Sequence, residues 1–177
     1  MLSRKSVKKV RIWSAGCSSG EEPYSLAMLL QESGWYDHAA FEIFASDINQ
    51  QVLGKARRGV YRENAFRATQ PQMREKYFNR ESDNSWRVKD EVRNRVSFGR
   101  LNLYDEARVS LLGHLDIIFC RNVIIYFDDA SKRVVVNNFY NRLSESGYLL
   151  LGHSESLISL STQFKLRHLK NDMVYQK

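Results

Sequence analysis

A glycine turn flanked by acids is where this sequence offers chemistry. Gly16-Cys17-Ser18-Ser19-Gly20 follows the alternating apolar run 10–15 and leads into Glu21, Glu22 and Pro23. Strand, tight turn and helix N-terminus in this order commonly cradle a nucleotide-like group. A dinucleotide fingerprint needs three glycines, spaced G-x-G-x-x-G, so that backbone can approach a pyrophosphate. Here the run is G-C-S-S-G, and two carboxylates at the helix mouth would repel a pyrophosphate. They favour a ligand carrying positive charge, such as S-adenosylmethionine with its sulfonium and α-amino groups. The same acids also suit the helix dipole, and that alternative stays open.

Three further positions stand beyond the carboxyl ends of expected strands, where open α/β sheets bind ligands. Asp47 closes the apolar run 41–46. Its carboxylate can accept hydrogen bonds from both hydroxyls of a ribose, or it can cap the next helix. Asn102 and Leu103 offer an amide for the edge of an adenine and an apolar side chain for its face. Arg121-Asn122 follows a third apolar run, and Tyr126 lies four residues further on. Tyr126 can orient an acceptor through its hydroxyl, or it can be a buried aromatic with a satisfied hydroxyl.

Periodicity supplies the elements that must place these residues. A helix is expected over 22–32, with Ser19 and Glu22 at capping-box spacing and Leu26, Leu29, Leu30 and Ser33 along one row. The second strand, 41–46, precedes a helix over 49–58 that Gly59 stops. Strand, helix, strand, helix with crossovers of this length implies a parallel sheet. Residues about 62–98 break the rhythm and read as an insertion. It holds a helix from a Thr69 cap through 71–78, then a small hairpin of 86–89 and 92–98 around Asp90-Glu91. The run 115–120 suits a central parallel strand covered on both faces. A helix from Asp128 or Asp129 to Ser146, stopped by Gly147, leads to a buried strand at 148–151. Runs 164–170 and 173–176 close the chain as an antiparallel hairpin joined at Asn171-Asp172.

The bulk numbers bound the class. The chain has 177 residues, 43% hydrophobic and 27% charged, which fits one soluble α/β domain with a real core. No run approaches the ~18 apolar residues of a membrane span. Residues 1–9 form a basic lead-in with no apolar stretch behind it, unlike a signal peptide. The net charge of +7 suits an acidic partner without choosing one. Two scattered cysteines, Cys17 and Cys120, make neither a disulfide framework nor a metal site, and they point to a reducing cytoplasm. Both are expected near one end of the sheet, as small buried hydrophobes.

Together these residues resemble the CheR family, the S-adenosylmethionine-dependent methyltransferases of bacterial chemotaxis receptors. The matching segments are 13–25, 44–48, 56–61, 119–127 and Gly152-His153-Ser154-Glu155, in order along nearly the whole chain. The resemblance implies a class I methyltransferase fold, Rossmann-like, with a mostly parallel seven-stranded sheet whose last strand is antiparallel, plus a small inserted β-subdomain. It implies that Ala15, Gly16 and Glu22 line the methionine end of the cofactor, and that Asp47 and Ile48 hold the ribose and adenine. Asn102 and Leu103 then flank the adenine, and Arg121 and Asn122 complete the pocket. Tyr126 faces the methyl group, and Tyr126 and Arg121 are the expected catalytic residues.

The implied reaction converts glutamates in the cytoplasmic domain of methyl-accepting receptors to methyl esters, with S-adenosylhomocysteine as the other product. The expected protein is a cytoplasmic monomer that takes no nucleic acid. Arg121-Asn122-Val123 stands where many amino-methylating enzymes carry Asn/Asp-Pro-Pro-Tyr/Phe. Family members usually carry an N-terminal helical domain, and this chain starts almost at the first strand. Some members dock on a receptor pentapeptide through a glycine-containing turn in the β-subdomain. The turn at 79–86 is shorter and lacks glycine, so a pentapeptide-independent form is expected. Methylation of another protein substrate, or a cofactor-binding signalling module with little turnover, are the alternatives.

Overall fold

A computed structural model describes residues 9–81, 83–170 and 172–177. The basic lead-in at 1–8 lies outside the described residues, and Lys9 already belongs to the first strand. Strand β1 (Lys9–Ala15) runs into helix α1 (Glu21–Glu32). Then come β2 (Ala40–Asp47), α2 (Gln50–Arg58) and the short β3 (Val60–Arg62). Helix α3 (Pro71–Tyr77), β4 (Phe78–Arg80) and β5 (Ser85–Val88) follow, then a single turn α4 (Asp90–Arg93) and β6 (Val96–Arg100). The chain continues through α5 (Glu106–Ser110), β7 (Leu115–Cys120), α6 (Asp129–Arg142) and β8 (Leu143–Leu151). It closes with β9 (Lys165–His168) and β10 (Met173–Gln176).

Seven strands form one sheet in the order β6-β2-β1-β7-β8-β10-β9. Every pair from β6 to β8 is parallel, and β10 lies antiparallel between β8 and β9. The chain leaves β1 toward β2 on one side and later returns to β7 on the other. The carboxyl ends of β1 and β7 are thus the topological switch point, the place at which open sheets of this kind bind ligands. Neighbouring residues of β1 point to opposite faces. Ile12 packs with Tyr24, Leu53 and Tyr61 under α1, α2 and the small sheet. Trp13 packs with Ile118, Val135 and Phe139 under α6, its ring edge-on to Phe139 at 5.4 Å.

The inserted unit differs from expectation in one respect. Trp86 and Val96 do not belong to one hairpin. Strands β3, β5 and β4 form their own antiparallel sheet, while β6 pairs with β2 in the main sheet. Asp90-Glu91 begins the helical turn α4, with Val92 buried, instead of a hairpin bend. The period-two spacing of Val92 and Val96 thus spans a helix and a strand.

Three local expectations also change. The buried face of α1 is Tyr24, Ala27 and Met28, and Leu29 is 61% exposed. The expected leucine row is turned toward its flank. Gln70, not Thr69, stands at the N-cap of α3, with Pro71 at the first helical position. Helix α6 ends at Arg142, and residues 143–147 already belong to β8. The β7–β8 register slips there, from Leu115 opposite Leu143 to Ile117 opposite Tyr148. Gly147 therefore sits buried inside a bulged strand and does not stop a helix.

Candidate functional site

The turn after β1 is held from three sides. The Gly16 and Cys17 amides both donate to the Ser46 carbonyl, at 2.8 and 2.9 Å, tying the turn to the end of β2. The buried Trp13 indole donates to the Ser46 hydroxyl at 2.9 Å. The Tyr61 hydroxyl donates to the Ser19 carbonyl at 2.8 Å. Gly16 has φ +79°, and a Cβ there would fall 2.4 Å from Val123 Cγ2. Only glycine suits both the left-handed backbone and that approach.

The two acids at the helix mouth part company. Glu21 is exposed and accepts the Ser19 hydroxyl at 2.8 Å. Glu22 turns inward, where its carboxylate accepts the buried Ser14 hydroxyl at 2.7 Å. No capping box forms, because Gly20, with φ 94°, is the N-cap and no side chain caps the helix. Burial pushes the Glu22 carboxyl above its ordinary range, and the Ser14 hydrogen bond and the Arg121 charge partly offset that. Glu22 is thus a desolvated acid on the inner wall of the turn.

Asp47, at the end of β2, does not cap α2. Asn49 is the N-cap and accepts from the Gln51 amide at 2.9 Å. The Asp47 carboxylate instead bridges the two loops. One oxygen accepts the Ser18 amide and the other the Asn49 amide, each at 2.9 Å. Each oxygen keeps further acceptor capacity. Ile48 beside it is 56% exposed. Beyond β6, Asn102 is exposed and its amide oxygen accepts the Tyr104 amide at 3.1 Å. Leu103 sinks its side chain into the core under α6, and its carbonyl accepts the buried Asn138 side chain at 3.0 Å.

Past β7, Arg121 and Asn122 are exposed, and Asn122 adopts the left-handed φ 59°. A 3-10 turn, Ile124–Tyr126, follows. Tyr126 is 81% exposed, which overturns its reading as a buried aromatic. Glu155, the last residue of the Gly152-His153-Ser154-Glu155 segment, has a role that its sequence position does not indicate. Its carboxylate accepts the amides of Asn122, Val123 and Ile125 from this loop and of Gly152 from the end of β8. Nothing in the local sequence signals this, since three of the four donors lie 30 or more residues away.

Cys17 and Cys120 are both buried at the carboxyl ends of β1 and β7. Burial, with the Asp47 charge, pushes the Cys17 thiol up to about 12, and burial also raises Cys120. Both stay protonated and unreactive at neutral pH. Among the described residues no group of three or more His, Cys, Asp or Glu is placed to hold a metal.

The candidate residues therefore gather at adjacent strand ends, in the order β6, β2, β1, β7. A desolvated carboxylate at Glu22 suits a cationic group. A two-oxygen acceptor at Asp47 suits a vicinal diol. Between them the turn leaves no room for a side chain at Gly16, because Val123 packs against its backbone.

Known proteins bear on this arrangement. A family model described as "CheR methyltransferase, SAM binding domain", SAM being S-adenosylmethionine, matches residues 1–173. The chain is similar to Chemotaxis protein methyltransferase 2 of Vibrio cholerae, 41% identical over 170 residues, covering 95% of this chain and 59% of that protein. It is also similar to the Chemotaxis protein methyltransferase of Escherichia coli K12, 39% identical over 168 residues, covering 93% of this chain and 58% of that protein. The chain thus spans under two thirds of the length of these relatives. Among solved structures, TrmN from Thermus thermophilus superposes with a TM-score of 0.54 at 14% identity, over 95% of this chain and 43% of that one. At that identity the likeness concerns the fold alone. The match over nearly the whole chain, with relatives of this identity, places the chain in the CheR methyltransferase family as its SAM-binding domain.

Proposed function

We propose that this protein methylates glutamate side chains in the cytoplasmic domain of methyl-accepting chemotaxis receptors, giving γ-methyl esters. The observation that carries the reading is the pairing of Glu22, turned inward onto Ser14, with Asp47, bridging two loops across the same glycine turn. S-adenosylmethionine, when bound, supplies an electrophilic methyl group. Glu22 attracts its cationic end, and Asp47 accepts the ribose hydroxyls with Ile48 alongside. Asn102 offers an amide to the adenine edge, with Leu103 fixing the backbone there from the core. Ala15 and Gly16 form the floor, and Arg121 and Asn122 close the far side.

A glutamate acceptor asks for little proton chemistry. Its unperturbed pKa is about 4.3, so the attacking oxygen is already ionised at neutral pH. The chain must align that oxygen with the methyl and the departing sulfur, and orientation supplies much of the rate. Tyr126, standing exposed beyond β7, positions the acceptor and need not take a proton. Arg121 draws the incoming carboxylate.

Charge supports an acidic partner. Residues 55–100 hold 13 Lys and Arg against six Asp and Glu, and the rest of the chain has 14 of each. The whole net charge of +7 therefore lies on α2, the small sheet and the strand that follows them. A field of this sign attracts an acidic receptor surface. The turn between β4 and β5 has no glycine, which favours docking without a receptor pentapeptide.

Calorimetry with S-adenosylhomocysteine tests the cofactor site, and binding at micromolar concentration is expected. Transfer of labelled methyl to receptor-bearing membranes, with release by mild base, tests the ester product. No binding by intact folded protein would overturn the methyltransferase reading. Binding without transfer would leave a signalling module, and retention on a pentapeptide column would overturn pentapeptide independence.

A further inference from the structure

We infer that Glu155 is a positioning residue for methyl transfer, its carboxylate being the brace that fixes the segment carrying Arg121, Asn122 and Tyr126. The inference rests on the methyltransferase reading above and deepens it.

The geometry is specific. One Glu155 oxygen accepts the Val123 amide at 2.9 Å and the Ile125 amide at 3.3 Å. The other accepts the Asn122 amide at 2.8 Å and the Gly152 amide at 2.7 Å. A run of amides converging on one anion is a backbone nest, here filled by a side chain of the protein itself. Hydrogen bonds to an ionised acceptor are about twice as strong as neutral ones. They hold Asn122 at φ 59°, a left-handed conformation that asparagine tolerates better than most residues with a Cβ.

The packing around the brace leaves it little freedom. A Cβ at Gly152 would lie 2.8 Å from the Glu155 carboxylate and 2.9 Å from the Asn122 amide nitrogen, so the end of β8 closes tightly on the same point. Val123, held by the carboxylate, is the residue that presses on Gly16. Glu155 thereby couples three parts of the site: the floor at Gly16, the wall at Arg121 and Asn122, and Tyr126 at the exit. It contacts the ends of β7 and β8 but none of the residues assigned to touch the acceptor through their side chains.

A carboxylate is required at this position. Glutamine has one acceptor oxygen, and its amide group would face two backbone donors whichever way it turned. Aspartate keeps both oxygens on a stem one methylene shorter.

The test compares wild type with E155Q and E155D in the full chain, by hydrogen exchange, S-adenosylhomocysteine calorimetry, thermal melts and steady-state methyl transfer to receptor-bearing membranes. In E155Q, amide exchange within 121–126 should quicken about tenfold or more, as expected from loss of a charge-assisted hydrogen bond, while exchange in β1 and β2 stays at wild-type rates. The kcat should fall on the order of 10- to 100-fold with receptor KM little changed, since misplacement of positioning groups acts on orientation. E155D should recover part of the kcat. Wild-type exchange at 121–126 in E155Q would overturn the inference. So would a loss of kcat that merely tracks the melting temperature and is not rescued by E155D. If wild type itself transfers no methyl, the methyltransferase reading fails, while exchange at 121–126 and cofactor-product affinity still decide whether Glu155 sets the loop.

Discussion

Val123 presses directly on Gly16, its Cγ2 standing 2.4 Å from where a Cβ would be. This contact joins the loop after β7 to the turn after β1, across the two central strand ends. Two separate costs follow for any side chain at 16: the clash with Val123, and the φ of +79°. G16A should lower stability by roughly 1–3 kcal/mol, the usual cost of overpacking, and weaken S-adenosylhomocysteine binding about tenfold or more. Adding V123A should restore part of the stability, since it relieves the clash but not the backbone strain. Urea melts and calorimetry on the single and double variants check this. A G16A protein with wild-type affinity would remove the turn from the cofactor site.

Asp47 and Asn49 stand two residues apart with separable tasks. Asn49 caps α2 through the Gln51 amide. N49A should therefore cost about 1 kcal/mol of stability and leave cofactor-product affinity unchanged. Asp47 bridges Ser18 and Asn49 and keeps acceptor capacity for a diol. D47A should reduce S-adenosylhomocysteine affinity on the order of 10- to 100-fold, more than its effect on folding explains. Parallel melts and titrations of the two variants decide the matter. Equal affinity in D47A and wild type would leave Asp47 as only a loop brace.

The sheet was legible in the sequence where local pattern and tertiary role agree. The strand at 115–120 has the same bounds in the fold, and β1 and β2 differ from the expected runs by a residue or so at their ends. Gly59 ends α2 in a left-handed conformation, as its type suggests. What escaped was decided at a distance. Val92 and Val96 share a spacing but serve a helix and a strand, because β6 finds its partner in β2 and not in β5. Gly147 looks like a helix stop but lies in a bulge set by β7. Among the candidate site residues, the placement of Asp47 and the glycine turn at the ends of strands was readable from the runs before them. The inward turn of Glu22 onto Ser14 was not, nor was the Glu155 brace, since its donors are backbone amides far along the chain.

If the charge concentrated on 55–100 steers the proposed receptor, methyl transfer should be sensitive to salt. Lys55, Arg58 and Arg67 are exposed in this segment. Removing all three charges, as K55Q/R58Q/R67Q, should lower kcat/KM for receptor methylation about tenfold at low ionic strength, through loss of steering. The gap should close as salt screens the field, with a Debye length of about 3 Å at 1 M. Affinity for S-adenosylhomocysteine should not move, because none of the three lies at the strand ends that form the site. Lys55 and Arg58 also sit favourably in the last turn of α2, so a melt is needed to correct for lost dipole stabilisation of about 0.3–1 kcal/mol each. A salt-independent deficit, or none, would separate this surface from receptor encounter.

Glu22 gives a pH signature whose sign is fixed by burial. In the unfolded chain its carboxyl ionises near the ordinary value of 4.5, while in the folded protein burial holds the proton to higher pH. Within that window the folded state binds more protons than the unfolded state, so stability falls as pH rises through it. Below pH 4.5 the two states are both protonated and Glu22 costs nothing; above the folded value the full cost is present. E22Q has no proton to lose and still offers an oxygen to the Ser14 hydroxyl. Its melting temperature should match wild type at pH 4 and exceed it at pH 7–8 by on the order of 2–4 °C. Affinity for S-adenosylhomocysteine should fall about tenfold at the same neutral pH, because the amide cannot balance an ammonium group. Calorimetric scans from pH 4 to 8 test the first half and titrations the second. Identical melting curves at every pH would show that burial does not destabilise the ionised acid. A more stable variant with unchanged affinity would place Glu22 outside the cofactor site.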